Sequence, residues 1–137
     1  MPLHHVDEFR FEIRGKGGHA AFPHETADPV PAALALAQAM DTLVSRNRPP
    51  TLPLVVSVTM IHAGTASNVI PATAHVGGTV RSFDAAWRDW AEARVRAIAE
   101  GVAAAHGVTA ALDYDRWYPA TVNHPRETAF ATQVARD

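Results

Sequence analysis

Asn68 and Arg81 are the side chains whose types and spacing most directly suggest chemistry. An amide and a guanidinium both present planar N–H donors, and the guanidinium fork matches a carboxylate two bonds at a time. Both lie in the stretch from Ile61 to Phe83. Ile61 ends a valine-rich run, Gly64 to Pro71 reads as a polar loop, and Thr73 to Ser82 alternates like a strand. Asn68 falls at the far side of the loop. Arg81 falls near the end of the returning strand, on one face with His75 and Thr79 and opposite Ala74, Val76, Gly78 and Val80. This layout predicts that the two polar heads converge on one anion.

The chain has eight histidines and no cysteine. Thiolate catalysis, thiolate metal sites and disulfides are therefore excluded, and any metal would have to use His, Asp or Glu. No two histidines have the H-E-x-x-H or H-x-H spacing that chelates zinc from one element, and there is no nucleophile elbow, paired-carboxylate motif or P-loop. His62 closes the valine-rich run beside the Asn68 loop and is a candidate substrate contact. His24 can brace its loop locally, His75 is a sheet-face residue, His106 a helix end and His124 a linker residue. His4 and His5 read as an unstructured start. His19 differs because Gly15, Gly17 and Gly18 precede it, permitting positive φ and close backbone approach at an entropic cost. Spacing alone leaves two readings open for it, a tight turn with a solvent-facing imidazole or a histidine delivered to a site. The match of Gly15 to Ala20 with the dinucleotide pattern G-x-G-x-x-A fails physically, because Pro23 and Pro29 delay the helix that must open inside the glycines.

The elements that must position these residues follow from periodicity. Glu8 to Arg14 alternates as a half-buried strand. Asp28-Pro29 opens a helix to Ser45 with Val30, Ala33, Leu34, Ala37, Met40 and Val44 on its apolar face, and Asn47 to Pro50 ends it. Leu54 to Ile61 is apolar enough to predict burial on most of both faces. Asp84 opens a second helix, with Trp87, Ala91, Val95, Ile98 and Val102 on one stripe and Arg88, Asp89, Glu92, Arg96 and Glu100 on the other; His106-Gly107 ends it. Thr109 to Tyr118 is a last strand with Ala110, Leu112 and Tyr114 inward, Pro119 to Pro125 a break, and Arg126 to Asp137 the first turns of a further helix. The order β-α-β-β-α-β predicts an α+β, ferredoxin-like sandwich: a four-stranded antiparallel sheet with two helices on one face, the other face carrying Arg10, Glu12, His75 and Arg81.

At 137 residues, 47% of them apolar, the chain suits one globular core. A formal net charge of −2 offers no basic field for nucleic acid. No apolar run spans a membrane and no signal peptide opens the chain, so the expected location is the cytoplasm and no membrane partner is expected.

Gly-Lys-Gly-Gly-His-Ala-Ala-Phe-Pro-His (15–24), Asp28-Pro29, Val44-Ser45-Arg46, Ile-His-Ala-Gly-Thr-Ala-Ser-Asn-Val-Ile-Pro (61–71) and Gly78-Thr79-Val80-Arg81 resemble the lid, or dimerisation, domain of the zinc amidohydrolases. That superfamily includes aminoacylases, carboxypeptidase G, hippurate hydrolase and the hydrolases of indole-acetyl-amino acids. The resemblance covers residues 7–123, leaving 124–137 as the start of re-entry into a catalytic domain absent from this chain. It implies a homodimer and cleavage of N-acyl amino acids or related amides. His19 would reach the partner subunit's site and stabilise the oxygen of the tetrahedral intermediate, and Asn68 and Arg81 would hold the substrate's carboxylate. The zinc, or another divalent metal, and the general base would belong to the catalytic domain of the same polypeptide, so no cofactor is expected here. The rival readings are a stand-alone ferredoxin-like module that binds a small carboxylate, a purely structural dimerisation domain, and an RNA-binding module. The last needs exposed aromatics on the middle strands, which the pattern does not supply.

Overall fold

The computed structural model describes residues 4–119 and residue 133. The expected break and helix beyond Pro119, and the boundary at 124, therefore lie outside the described residues, residue 133 aside. Strands β1 (His5–Arg14), β2 (Gly18–His19), β3 (Leu54–Ala63), β4 (Val69–Ile70), β5 (Thr73–Ser82) and β6 (Thr109–Tyr118) are joined with helices α1 (Pro29–Asn47) and α2 (Ala85–His106). Four strands form an antiparallel sheet in the order β3-β5-β1-β6, and β2 and β4 form a separate two-stranded ladder. Both helices pack on one face, α1 over β3 and β5 and α2 over β6 and β5. This is the ferredoxin-like sandwich that the element order implies.

Local chemistry sets the element ends. The Asp28 carboxylate accepts from the Val30 amide at 2.9 Å with Pro29 at the first helical position, and Asp84 caps α2 by accepting from Ala86 and Trp87. Helix α2 stops at Gly107, whose φ of 66° a side chain would resist, while the Val108 amide returns to the Ala103 carbonyl at 3.0 Å. The core lies between sheet and helices: Phe9, Phe11 and Ile13 of β1, Val76 and Val80 of β5, Leu36, Met40 and Leu43 of α1, and Ala91, Val95 and Ala99 of α2. Gly78 is required here, since a Cβ would stand 2.0 Å from the Ser57 carbonyl oxygen and 2.6 Å from the Phe9 ring.

Four expectations need correction. Leu54 to Ile61 is not buried on both faces. It belongs to an edge strand with Leu54 and Val56 inward, Val55, Met60 and Ile61 exposed, and a bulge at Thr59 where the register shifts. An apolar run shows β preference, but burial depends on which neighbours the topology supplies. Helix α1 is rotated from the expected face: Ala32, Leu36 and Leu43 are buried and Leu34 is exposed. Arg88 is not on the solvent stripe of α2; it is buried against Asp7, which has 0% exposure. His5 is not part of an unstructured start. It opens β1, is buried, and its Nδ1 lies 3.2 Å from Arg88 Nη1, while the His4 ring packs 3.8 Å from Phe83.

Candidate functional site

The loop that carries His19 is fixed by close backbone approach. A Cβ on Gly15 would stand 1.9 Å from the Ala27 carbonyl oxygen, and one on Gly17 would stand 2.5 Å from that of Ile70. Neither has positive φ, so these glycines supply space and not an unusual turn. The space lets Lys16 pair with Ala27 and lets β2 pair with β4, setting Gly18 opposite Ile70 and His19 opposite Val69. The Ala20 amide then donates to the Asn68 carbonyl at 3.0 Å. His19 and Asn68 therefore belong to one pinned pair of loops beyond the end of the main sheet, and both are exposed. The His19 imidazole is itself held: Nδ1 accepts from the Ala21 amide at 3.0 Å, and the Phe22 ring lies 5.7 Å away.

His62 sits next to this cluster, exposed near the end of β3 and directly opposite His75 on β5. The two imidazoles separate two shallow pockets. One, of about 300 Å³, is walled by Thr65, Val69, Pro71 and Thr73 and opens toward the loop. The other, of about 360 Å³, runs across the open sheet face past Met60, Gly77, Glu12 and Arg10. Arg14 donates to Glu12 at 2.6 Å, and that bond holds the Glu12 carboxyl below its ordinary range and raises the Arg14 guanidinium above its own. The open face is thus polar but internally charge-matched, with Arg10 also facing Glu8 at 3.0 Å.

Arg81 is elsewhere. It lies opposite Val55 and Val6 at the far end of β5, half-buried, with Nη1 donating to the carbonyls of Val80 at 3.2 Å and Asp7 at 3.4 Å. An extended strand rises about 3.4 Å per residue, so the run from Thr73 to Arg81 separates Arg81 from the Asn68 loop by roughly 27 Å. The expected convergence of Asn68 and Arg81 on one anion therefore does not occur within one chain. Arg81 does keep its expected face, with His75 and Thr79.

Beneath Arg81, the Asp7 carboxylate receives Arg88 Nε at 2.8 Å and the Tyr114 hydroxyl at 3.0 Å. Burial, and then the Asp7 charge, raise the Tyr114 phenol above its ordinary value. Alternation places Asp7 on the core side of β1, but only the register reveals that α2 and β6 both bring it a partner. Among the described residues, no three His, Asp or Glu side chains gather as a metal site, and no helix is long and apolar enough to cross a membrane.

This sheet, its paired loops and the exposed β3 edge are those of a peptidase dimerisation domain, whose family model matches residues 6–107; the chain belongs to that family. It is 39% identical over 123 residues to thermostable carboxypeptidase 2 of Saccharolobus solfataricus, covering 89% of this chain and 31% of that protein. It is 43% identical over 120 residues to N-acetyldiaminopimelate deacetylase of Enterococcus faecalis, covering 86% and 32%. Among solved structures, a dinuclear metal-binding peptidase of Bacillus subtilis, the YXEP protein, matches with a TM-score of 0.73 at 31% identity, over 98% of this chain and 32% of that one. The chain spans about a third of the length of the curated relatives it matches.

Proposed function

We propose that this chain is the lid of a dimeric, metal-dependent amidohydrolase that cleaves N-acyl amino acids or related amides, and that each active site is completed by two copies of it. The relatives named as a carboxypeptidase and a deacetylase support the reaction class. The observation that carries the two-copy reading is the separation of His19 and Asn68 from Arg81 by the length of β5. A small substrate held by both an Asn68 amide and an Arg81 guanidinium must take them from different chains. His19, exposed on its pinned loop beside Asn68, is the donor aimed at the oxygen that gains charge as the amide carbonyl is attacked. His62 lines the same end and would contact the substrate beside it. A zinc or other divalent ion would belong to the catalytic portion of the enzyme, a reading supported by the likeness to a dinuclear metal-binding peptidase. The same separation counts against a stand-alone carboxylate-binding module, since one chain cannot close both groups on one small anion.

Dimerisation follows from the β3 edge. Val55 and Ile61 are 53% and 44% exposed there, and Leu34 on the neighbouring helix α1 is 54% exposed. An unpaired ladder flanked by apolar side chains is a template for a second copy, and a two-fold axis along it would join two sheets into one.

The test is mutagenesis in the full-length enzyme. His19→Ala should lower kcat by two to three decades, about 2.7 to 4 kcal/mol of oxyanion stabilisation, and leave KM nearly unchanged. Arg81→Ala should instead raise KM, with a loss of about 2 to 5 kcal/mol in kcat/KM for a carboxylate-bearing substrate. An unchanged kcat for His19→Ala overturns the catalytic part of the reading.

A further inference from the structure

The loop after His19 uses its backbone donors in an ordered way. The Ala20 amide goes to the Asn68 carbonyl at 3.0 Å, the Ala21 amide to the His19 ring at Nδ1 at 3.0 Å, and the Phe22 amide to the His19 carbonyl at 2.9 Å. The next residue, Pro23, has no N–H. From Ala20 to Pro23, therefore, no backbone N–H is left to point outward. The N–H donor left beside this stretch is that of the His19 imidazole.

The bond from Ala21 also decides which way that imidazole faces. A ring nitrogen that accepts an N–H cannot carry a proton, so the neutral ring must hold its proton on Nε2. Turning the ring over would set a carbon-bound hydrogen of the imidazole against the Ala21 N–H and lose the bond. The Phe22 ring, 5.7 Å from the imidazole at an interplanar angle of 57°, flanks it, and the His24 ring stands edge-on 6.2 Å beyond Phe22. Short side chains often bond the backbone two residues on, as in an Asx turn, and here an imidazole takes that place, which leaves its far nitrogen outward.

We propose that the Ala21 amide and the Phe22 ring are positioning groups for His19, which lock its imidazole as the Nε2–H tautomer and present it as a hydrogen-bond donor and not as a base. This rests on the reading of His19 as a donor to the developing oxyanion and specifies the state in which it acts. A base would need the lone pair outward, and the geometry spends the Nδ1 lone pair on Ala21 while placing a proton on Nε2. A donor fixed before substrate arrives needs no reorganisation during the reaction.

The direct test is nitrogen-15 NMR of the imidazole nitrogens in this chain at about pH 9, where an unperturbed imidazole is neutral. The His19 signals are assigned by their loss in His19→Gln. The expected result is one nitrogen bare and the other protonated, with no averaging between tautomers. Ala21→Gly, which keeps the amide, should leave that pattern intact, and Ala21→Pro, which removes it, should move both signals toward the averaged values of an unrestrained imidazole. Averaged signals in the unaltered chain, or a proton on Nδ1, overturn the proposal. In the full-length enzyme, Phe22→Ala should lower kcat roughly 10- to 100-fold with KM unchanged, as loss of an orienting contact does, and unaltered kcat overturns the assignment of Phe22. The spectra read the tautomer whether or not His19 is catalytic, so a failure of the locking idea is distinguishable from a failure of His19→Ala to affect kcat.

Discussion

Asp7 and Arg88 show how much one buried pair can govern. Taking two charges out of water costs several kcal/mol per ion, and it is offset here by a guanidinium that meets the carboxylate through two nitrogens and by the Tyr114 hydroxyl on the remaining lone pair. Arg88→Ala should therefore cost about 3 to 5 kcal/mol in urea unfolding, because it strands the Asp7 charge, whereas a joint Asp7→Leu, Arg88→Met change should recover most of the loss. Tyr114 adds a pH dependence whose sign follows from its raised phenol. Below about pH 10, the ordinary phenol value, it is neutral in both folded and unfolded chains and its contribution is full; above that, the unfolded chain ionises first and stability falls. Tyr114→Phe should cost about 1 to 2 kcal/mol at neutral pH, allowing for partial exposure, and should flatten the decline measured between about pH 8 and about pH 11.

At the scale of elements, the β3 edge is the feature most open to experiment. Val55→Lys with Ile61→Lys places a charge on each face of the exposed strand, and a two-fold interface feels each change twice. Light scattering should show the dimer weakened by about tenfold or more, a loss of about 1.4 kcal/mol; an unchanged dimer places the interface elsewhere. The strands and helices themselves were legible, because alternation at Glu8 to Arg14 and the Asp-Pro and His-Gly helix ends are local signals. Arg88 was not legible: a guanidinium at helical spacing from Glu92 looks solvated until β1 brings a carboxylate beneath it. The edge position of β3 was hidden for a similar reason, since pairing partners decide burial. At the glycine loop close approach is legible from Gly15 and Gly17, but positive φ does not occur there. That Arg81 stands far from the start of β5 was legible from strand length alone, whereas the place of Asn68 depends on the pairing of β4 with β2.

For the whole molecule, two chains per site make a quantitative forecast. A His19→Ala enzyme mixed with an Arg81→Ala enzyme, assayed at substrate well below the raised KM where each alone is nearly silent, should recover about a quarter of wild-type activity after subunit exchange, since random pairing puts half the chains into mixed dimers and each mixed dimer has one intact site. No recovery despite proven exchange would mean that His19 and Arg81 do not meet at one site. The same end of the sheet that holds Arg81 and the Asp7 cluster also holds Val6 and Tyr118, which are partners across β1 and β6. A chain entering at one and leaving at the other does so through neighbouring points on antiparallel strands. Tension applied through those points would open the β1–β6 ladder one rung after another, like a zip, and would not shear all its rungs together. The sandwich should therefore yield to a weak pull through Val6 and Tyr118 while withstanding much larger loads applied along the strands from opposite ends of the ladder.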